Sequence, residues 1–275
     1  MKSVSDLLPS LRGLIEQISV RDQLPQIEVA VGENATALVF RHLKPLTDPD
    51  RDALAAFGEI HQTQIFTQSK GPKTVTAVWP TEPDSLNYPL EKFGLTIEFS
   101  PVDFVQINGA INEKLVETIT SWLELNHQDE VLDLFCGLGN FSLATAQSAK
   151  KVLGVEGEPS LVQKAELNAS RNQIQNATFR TRDLFDDGIA DWSEGNFSKV
   201  IVDPPRSGAR EALKRVVDDV KPEAIAYVSC NPATLARDSA DLIESGIYRL
   251  DRLLVADMFP HTAHVETAAL FKQIS

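Results

Sequence analysis

The sequence predicts an α/β protein in two parts: a small α+β domain over 1–100, then a doubly wound, seven-stranded sheet over 101–275 whose last strand runs antiparallel. Three observations carry this. From residue 131 onward, strand-length apolar runs alternate with apolar-faced helical segments, the pattern of a parallel sheet covered on both faces. The last two strand-like runs are joined only by PHTAHV, while a parallel crossover needs a dozen or more residues, so the seventh strand returns antiparallel to the sixth. Before residue 100, short strands mix with two helical stretches, which suggests antiparallel strands with helices on one side.

Taken in order, residues 4–18 place Leu7, Leu8, Leu11, Leu14 and Ile15 on one face of an amphipathic helix, which reads as folded structure and not as a secretory leader. IEVAV (27–31) and TALVFRH (36–42) flank Gly-Glu-Asn and predict a β-hairpin. DPDRDALAAFGEI (48–60) opens on capping residues and continues as a helix. QIFTQ, TVTAVWP and GLTIEFS follow as strands. The strands of the second part are VLDLF (131–135), KVLGVE (151–156), ATFRT (177–181), KVIVDPP (199–205), AIAYVSC (224–230), YRLDRLLVADMF (248–259) and ETAALFKQ (266–273). Six parallel strands with an antiparallel seventh is the Rossmann-like plan of the class I methyltransferases.

Composition narrows the function. The 275 residues suffice for two cores, and 43% hydrophobic with 24% charged residues is ordinary for a soluble globular protein. No run is long and apolar enough to span a membrane, so a cytoplasmic protein without a membrane partner is expected, working as a monomer. The two cysteines, Cys136 and Cys230, form no CxxC and are too few for a disulfide scaffold; neither a metal site nor an iron–sulfur cluster is expected. The net charge of −13 runs against nucleic-acid binding, where phosphate contacts supply most of the affinity. Any RNA surface is then a local patch, or lies on another part of the machinery.

VLDLFCGLGNFS (131–142) carries the cofactor signal. A buried strand reaches Asp133, and Gly137 and Gly139 then turn the chain into a helix, where glycine lets the backbone approach a ligand. The third glycine of a dinucleotide fingerprint is replaced by Ser142, which weakens a nicotinamide reading. An acid inside the strand, before the glycines, is typical of enzymes that bind S-adenosylmethionine. Glu156 ends the second strand about 20 residues on, where a carboxylate can accept both ribose hydroxyls. Asp183, after the third strand, can reach the adenine side.

IVDPPRSG (201–208) closes the fourth strand, and its two prolines fix where Asp203 points, toward the methyl group and a planar nitrogenous target. Arg206 contacts phosphate or base, or forms a structural ion pair. Cys230 ends the fifth strand in YVSCNPATLARD, at the start of a helix that should lower its pKa and raise its thiolate fraction. Cys136 reads as packing. Because strand seven runs backwards, Glu266 at its start belongs beside Cys230, where a carboxylate suits a general base. His261 and His264 share that loop; cofactor and thiol already account for the crevice, so His261 is expected to brace the loop and no metal is expected. A thiol beside a base suits methylation at carbon 5 of uracil, a weak nucleophile until a thiolate adds at carbon 6.

DLFCGLGNFS, VEG, DPPRSG, VSCNPATLARD and DMFPHTAHVE together resemble the bacterial RNA 5-methyluridine methyltransferases, above all the branch acting on 23S ribosomal RNA. The resemblance is strong over 100–275 and weaker before it. It implies S-adenosylmethionine contacts at Gln106 (in DFVQIN), Phe135, Asn140, Glu156, Asp183 and Asp203, with Cys230 as nucleophile, Glu266 as base and RNA as substrate. Full-length relatives carry an N-terminal β-barrel and cluster-binding cysteines; this chain shows neither, with Ser3 where the last such cysteine would lie, and so resembles their catalytic half. An RNA cytosine-5 methyltransferase is the alternative, although such enzymes usually place a cysteine beside the fourth-strand prolines, where this chain has DPPR. A cofactor- or RNA-binding fragment with impaired catalysis is the other.

Overall fold

The structure is a computed structural model that describes residues 4–185, 195–258, 261–262 and 265–274. Ser3 and His264 lie outside these residues. The chain divides into two compact units, Met1–Tyr88 with Glu98–Val105, and Pro89–Ile97 with Gln106–Ser275.

In the first unit, helix α1 (Val4–Gln17) buries Leu7, Leu11 and Leu14. These positions fall on one helical stripe, while Leu8, one step round the helix from Leu7, is 59% exposed and drops out of the expected face. β1 (Gln26–Val31) and β2 (Thr36–Arg41) pair antiparallel, as the hairpin pattern predicts. α2 (Asp48–His61) begins with a capping box, in which the Thr47 side chain accepts from the Asp50 N–H while the Asp50 carboxylate accepts from the Thr47 N–H. Asp50 also accepts from the Ser19 N–H and hydroxyl, each at 2.7 Å. β3 (Gln64–Gln68) pairs parallel with β2, and β4 (Val75–Trp79) closes the sheet in the order β1-β2-β3-β4. The parallel pair corrects the expectation of antiparallel strands throughout: α2 supplies the long crossover that a parallel partner requires. Leu38, Phe40, Leu54 and Ile65 meet the leucines of α1 in this unit's core.

β5 (Leu86–Leu90) and β6 (Leu95–Phe99) form a separate two-stranded ribbon. β5 escaped the sequence reading because Asn87 and Pro89 interrupt its apolar pattern.

The second unit begins its regular structure with α3 (Gly109–Trp122) and alternates β7 (Glu130–Leu134), α4 (Asn140–Ala146), β8 (Lys151–Glu156), α5 (Pro159–Arg171), β9 (Ala177–Thr181), β10 (Lys199–Val202), α6 (Arg210–Arg215), β11 (Ala224–Ser229), α7 (Pro232–Glu244), β12 (Tyr248–Ala256) and β13 (Glu266–Gln273). The sheet order is β12-β13-β11-β10-β7-β8-β9, with β13 antiparallel to both neighbours. This is the Rossmann-like, seven-stranded plan that the sequence predicts. β10 stops at Val202, short of the expected residue 205, because prolines at 204 and 205 have no N–H for the ladder. Leu132, Leu134, Val200, Val202, Ile225, Tyr227 and Phe271 fill the core between the sheet and its helices. Order reverses between β7 and β10, and ligand crevices in open α/β sheets form at such a point, outside the carboxyl ends of the strands.

Candidate active site

β11 and β13 fix the first pair of groups. Their antiparallel register matches Ser229 with Thr267, and the Thr267 hydroxyl donates to the Ser229 carbonyl at 3.0 Å. The next residue on each chain is Cys230 on one side and Glu266 on the other, so the two expected catalytic side chains leave neighbouring strand ends. Glu266 is 2% exposed, and its Oε2 has no hydrogen-bond partner. Burial pushes its carboxyl up to about 7.

Two further acids belong to the same strand ends. Asp203 follows β10, and its N–H donates to the Leu134 carbonyl of β7 at 3.2 Å. Burial, then the charges of Glu266 and Asp133, push its carboxyl up to about 8. Asp133 is fully buried in β7 and pushed up to about 7, chiefly by burial; the Ser142 hydroxyl, donating to Oδ2, offsets only part of this. Its Oδ1 has no partner. Like charges in a low-dielectric site resist ionising together, so these acids hold protons into the neutral range. A carboxyl that titrates near neutrality can take a proton there and give it up again.

Cys230 corrects one expectation. It sits directly before Asn231, whose side chain caps α7 by accepting from the Ala233 N–H at 3.1 Å. The helix N-terminus should favour the thiolate, yet the thiol's pKa is raised. Burial is the largest cause, followed by the carboxylates of Glu266 and Asp203, while the Arg206 guanidinium, hydrogen-bonded to the thiol, pulls the other way. Cys136 is buried, and burial together with Asp133 and Glu156 raises its thiol well above the ordinary value.

The loop after β7 turns through three left-handed residues, Phe135 (φ 62°), Gly137 (φ 53°) and Gly139 (φ 90°). A Cβ at Gly137 would meet nothing within 4 Å, so backbone conformation, and not crowding, favours glycine there. Glu156 accepts from the N–H groups of Gly137 (3.1 Å), Gly157 (2.7 Å) and Glu158 (3.1 Å), which ties the end of β8 to this loop. Phe135 packs against Phe185 with ring centroids 5.5 Å apart, and Asp183 accepts from the Phe185 N–H at 2.9 Å. Asn140 exchanges two amide hydrogen bonds with Asn112 of α3, each 3.0 Å, so its side chain is engaged by a helix that the sequence reading did not connect to it. Gln106 has a buried Oε1 without a hydrogen-bond partner. His261 is exposed with left-handed backbone (φ 68°). Among the described residues, no three His, Cys, Asp or Glu side chains gather as a metal site, and no helix is long and apolar enough to cross a membrane.

Sequence reasoning missed the role of Ser142. As the residue replacing a fingerprint glycine it is small enough for close helix–strand packing, and its hydroxyl satisfies a buried acid. The signal was present in the spacing of Asp133 and Ser142, which brings the first turns of α4 back over the end of β7.

Comparison with known proteins adds three findings. The family tRNA (Uracil-5-)-methyltransferase matches residues 3–274. The 23S rRNA (uracil(1939)-C(5))-methyltransferase RlmD of Nitrosococcus oceani is 47% identical over 274 residues, covering 98% of this chain and 60% of that protein; the enzyme of the same description from Thiobacillus denitrificans is 45% identical over 271 residues, covering 98% and 63%. The chain thus spans about three fifths of the length of these relatives. The crystal structure of Pyrococcus abyssi tRNA (uracil-54, C5)-methyltransferase with S-adenosyl-L-homocysteine superposes with a TM-score of 0.68 at 27% identity, covering 88% of this chain and 58% of that one.

Proposed function

The chain belongs to the tRNA (uracil-5-)-methyltransferase family, and from that premise we propose that it methylates carbon 5 of a uridine in RNA, with S-adenosylmethionine as donor, Cys230 as nucleophile and Glu266 as base. The two relatives above are described as acting on 23S rRNA, and that RNA is the substrate class carried over here. The observation that supports the reading is the β11–β13 register, whose last pair, Ser229 with Thr267, directly adjoins Cys230 and Glu266.

The residues present fit the cofactor. Gln106 offers a buried, unsatisfied acceptor, and Gly137 leaves open backbone beside a carboxylate, Glu156. With them, Phe135, Gly139 and Asn140 on the loop after β7 would hold S-adenosylmethionine, Asp183 and Asp203 completing the set. The cofactor supplies an electrophilic methyl group. The chain's own groups do the rest. The Cys230 thiolate adds to carbon 6 of the uracil, and the ring's electrons shift to make carbon 5 nucleophilic. Once carbon 5 carries the methyl group, Glu266 removes its remaining proton. The electrons re-form the 5,6 double bond and expel the Cys230 thiolate. Arg206, beside the thiol, favours the ionised form that begins the cycle. The small α+β domain is assigned to 1–100 and the catalytic domain to 101–275, acting as a cytoplasmic monomer. Two cysteines are fewer than the four a cluster of the ordinary kind needs, so none is assigned to this chain.

The test is methyl transfer from labelled cofactor to a uridine-containing 23S rRNA fragment, read by nucleoside mass spectrometry. Cys230→Ala abolishes 5-methyluridine while cofactor binding persists by calorimetry; Cys136→Ser retains most of the activity. Equal loss in both variants overturns the assignment of the nucleophile.

A further inference from the structure

The loop 203–209 carries Asp203 and Arg206, and three of its backbone groups are fastened to the N-cap and the middle of α7. The Arg206 carbonyl accepts from Asn231 Nδ2 at 3.0 Å, the Ser207 carbonyl accepts from Arg237 Nη2 at 2.9 Å, and the Ala209 N–H donates to Asp238 Oδ2 at 2.9 Å. Asp238 is the node. It is 1% exposed, takes a second hydrogen bond on Oδ2 from the Tyr227 hydroxyl (2.7 Å), and holds Arg237 through Nε on Oδ1 (2.7 Å). Gly208 is the complement to this node: with φ 84°, a Cβ there would lie 2.5 Å from Asp238 Oδ2 and 2.6 Å from Arg237 Nη2. The proposed chemistry uses none of Tyr227, Arg237, Asp238 or Gly208, although all four fall inside the motifs singled out in the sequence.

We propose that Asp238, acting through Arg237 and the Ala209 N–H, is a positioning residue that locks the loop 203–209 to α7 so that Arg206 stays against the Cys230 thiol. A buried carboxylate with three donors is a rigid anchor, because losing any one partner leaves an unsatisfied group in the interior. Asn231, the residue after the nucleophile, makes the link direct: it caps α7 and holds the Arg206 backbone with the same side chain. The proposal rests on the reading of Cys230 as the nucleophile only for its significance. The geometry itself concerns a loop, a helix and a thiol.

The experiment reads the thiol without RNA. Cys230 alkylation by iodoacetamide is followed against pH in the full 275-residue chain, with the site located by mass spectrometry. The charged groups that face the thiol are Glu266 on β13 and Asp203 and Arg206 on the loop. Arg206→Gln shifts the alkylation profile to higher pH. Asp238→Asn, which keeps size and an acceptor for Tyr227, does the same, slowing alkylation at pH 8 several-fold, and the double variant goes no further than Arg206→Gln alone. The sign is decisive: removing a carboxylate and freeing Arg237 would by charge alone lower the thiol's pKa. An unchanged or lowered profile in Asp238→Asn, or shifts that add in the double variant, overturns the proposal. If Asp238→Asn does not fold, Arg237→Lys keeps the positive charge but cannot hold Asp238 and Ser207 at once, and it carries the same expected shift, its absence being equally fatal. Failure of Cys230→Ala to abolish methyl transfer would remove the nucleophile reading and leave this result standing, so the two fail separately.

Discussion

Glu266 stands where an ionised carboxylate is least favoured, at the buried end of β13 with one oxygen unpaired. That same disfavour makes it a base: a carboxyl pushed up to about 7 takes a proton far more readily than an exposed glutamate at neutral pH. If it removes the carbon 5 proton, its loss acts late. Cys230 still adds and carbon 5 is still methylated, but the thiol cannot leave until the proton does. Glu266→Gln therefore accumulates a denaturant-resistant protein–RNA adduct carrying the methyl group, visible as a shifted gel band, and Cys230→Ala on top of it forms none. Turnover near the parental rate without adduct would move the base elsewhere. The pairing was legible in the sequence because β topology is integer arithmetic: a short return loop forces the antiparallel seventh strand, and that direction sets which end meets Cys230. The thiol's raised pKa was not legible. It depends on burial and on carboxylates from two other chain segments, distances that a helix N-terminus rule does not contain.

At the scale of elements, period and turn chemistry revealed the long alternation of the second unit, whereas pair direction in the first unit escaped because β2 and β3 look alike in either orientation. What decides is α2 between them, long enough for a crossover. Gly154 shows a second limit. It lies inside β8, where a strand pattern alone offers no reason for glycine. In the fold, a Cβ there would stand 2.5 Å from the Phe179 ring of β9 and 2.9 Å from Cys136 Sγ. Gly154 thus lets the cysteine of the cofactor loop and the aromatic of β9 close over β8, which accounts for Cys136 as a packing residue. Gly154→Ala should destabilise the second unit by about 1–3 kcal/mol through overpacking, measured by urea denaturation. Phe179→Leu in the same chain should return part of the loss by making room. A neutral Gly154→Ala would mean that β8 and β9 are not packed this closely.

At the scale of the whole molecule, Asp50 of the first unit and the buried crevice acids of the second respond to pH in opposite directions. In the first, burial raises Asp50, but its hydrogen bonds from Ser19 and Thr47 outweigh burial and hold it down to about 2. A lowered carboxyl contributes stability that is present above the unfolded value of 3.8 and lost as pH falls toward 2. In the second unit Asp133, Asp203 and Glu266 are raised to about 7, 8 and 7, from 3.8, 3.8 and 4.5. Here the folded state binds more protons than the unfolded chain between about pH 4.5 and 8. Stability therefore falls as pH rises through that window, by at most about 1.4 kcal/mol per pH unit for each such group, with coupling among the three keeping the sum below three times that. The net charge of −13 also disfavours compaction as pH rises, and the two causes separate by substitution. Asp203→Asn removes a buried acid and should flatten the slope of urea stability of the second unit between pH 5 and 8; Glu166→Gln removes an exposed one and should leave the slope nearly unchanged. Equal flattening by both would assign the effect to overall charge. Stability that climbs from pH 5 to 8 in the parent would contradict the protonated crevice itself, because ionising three buried acids cannot strengthen the fold that buries them.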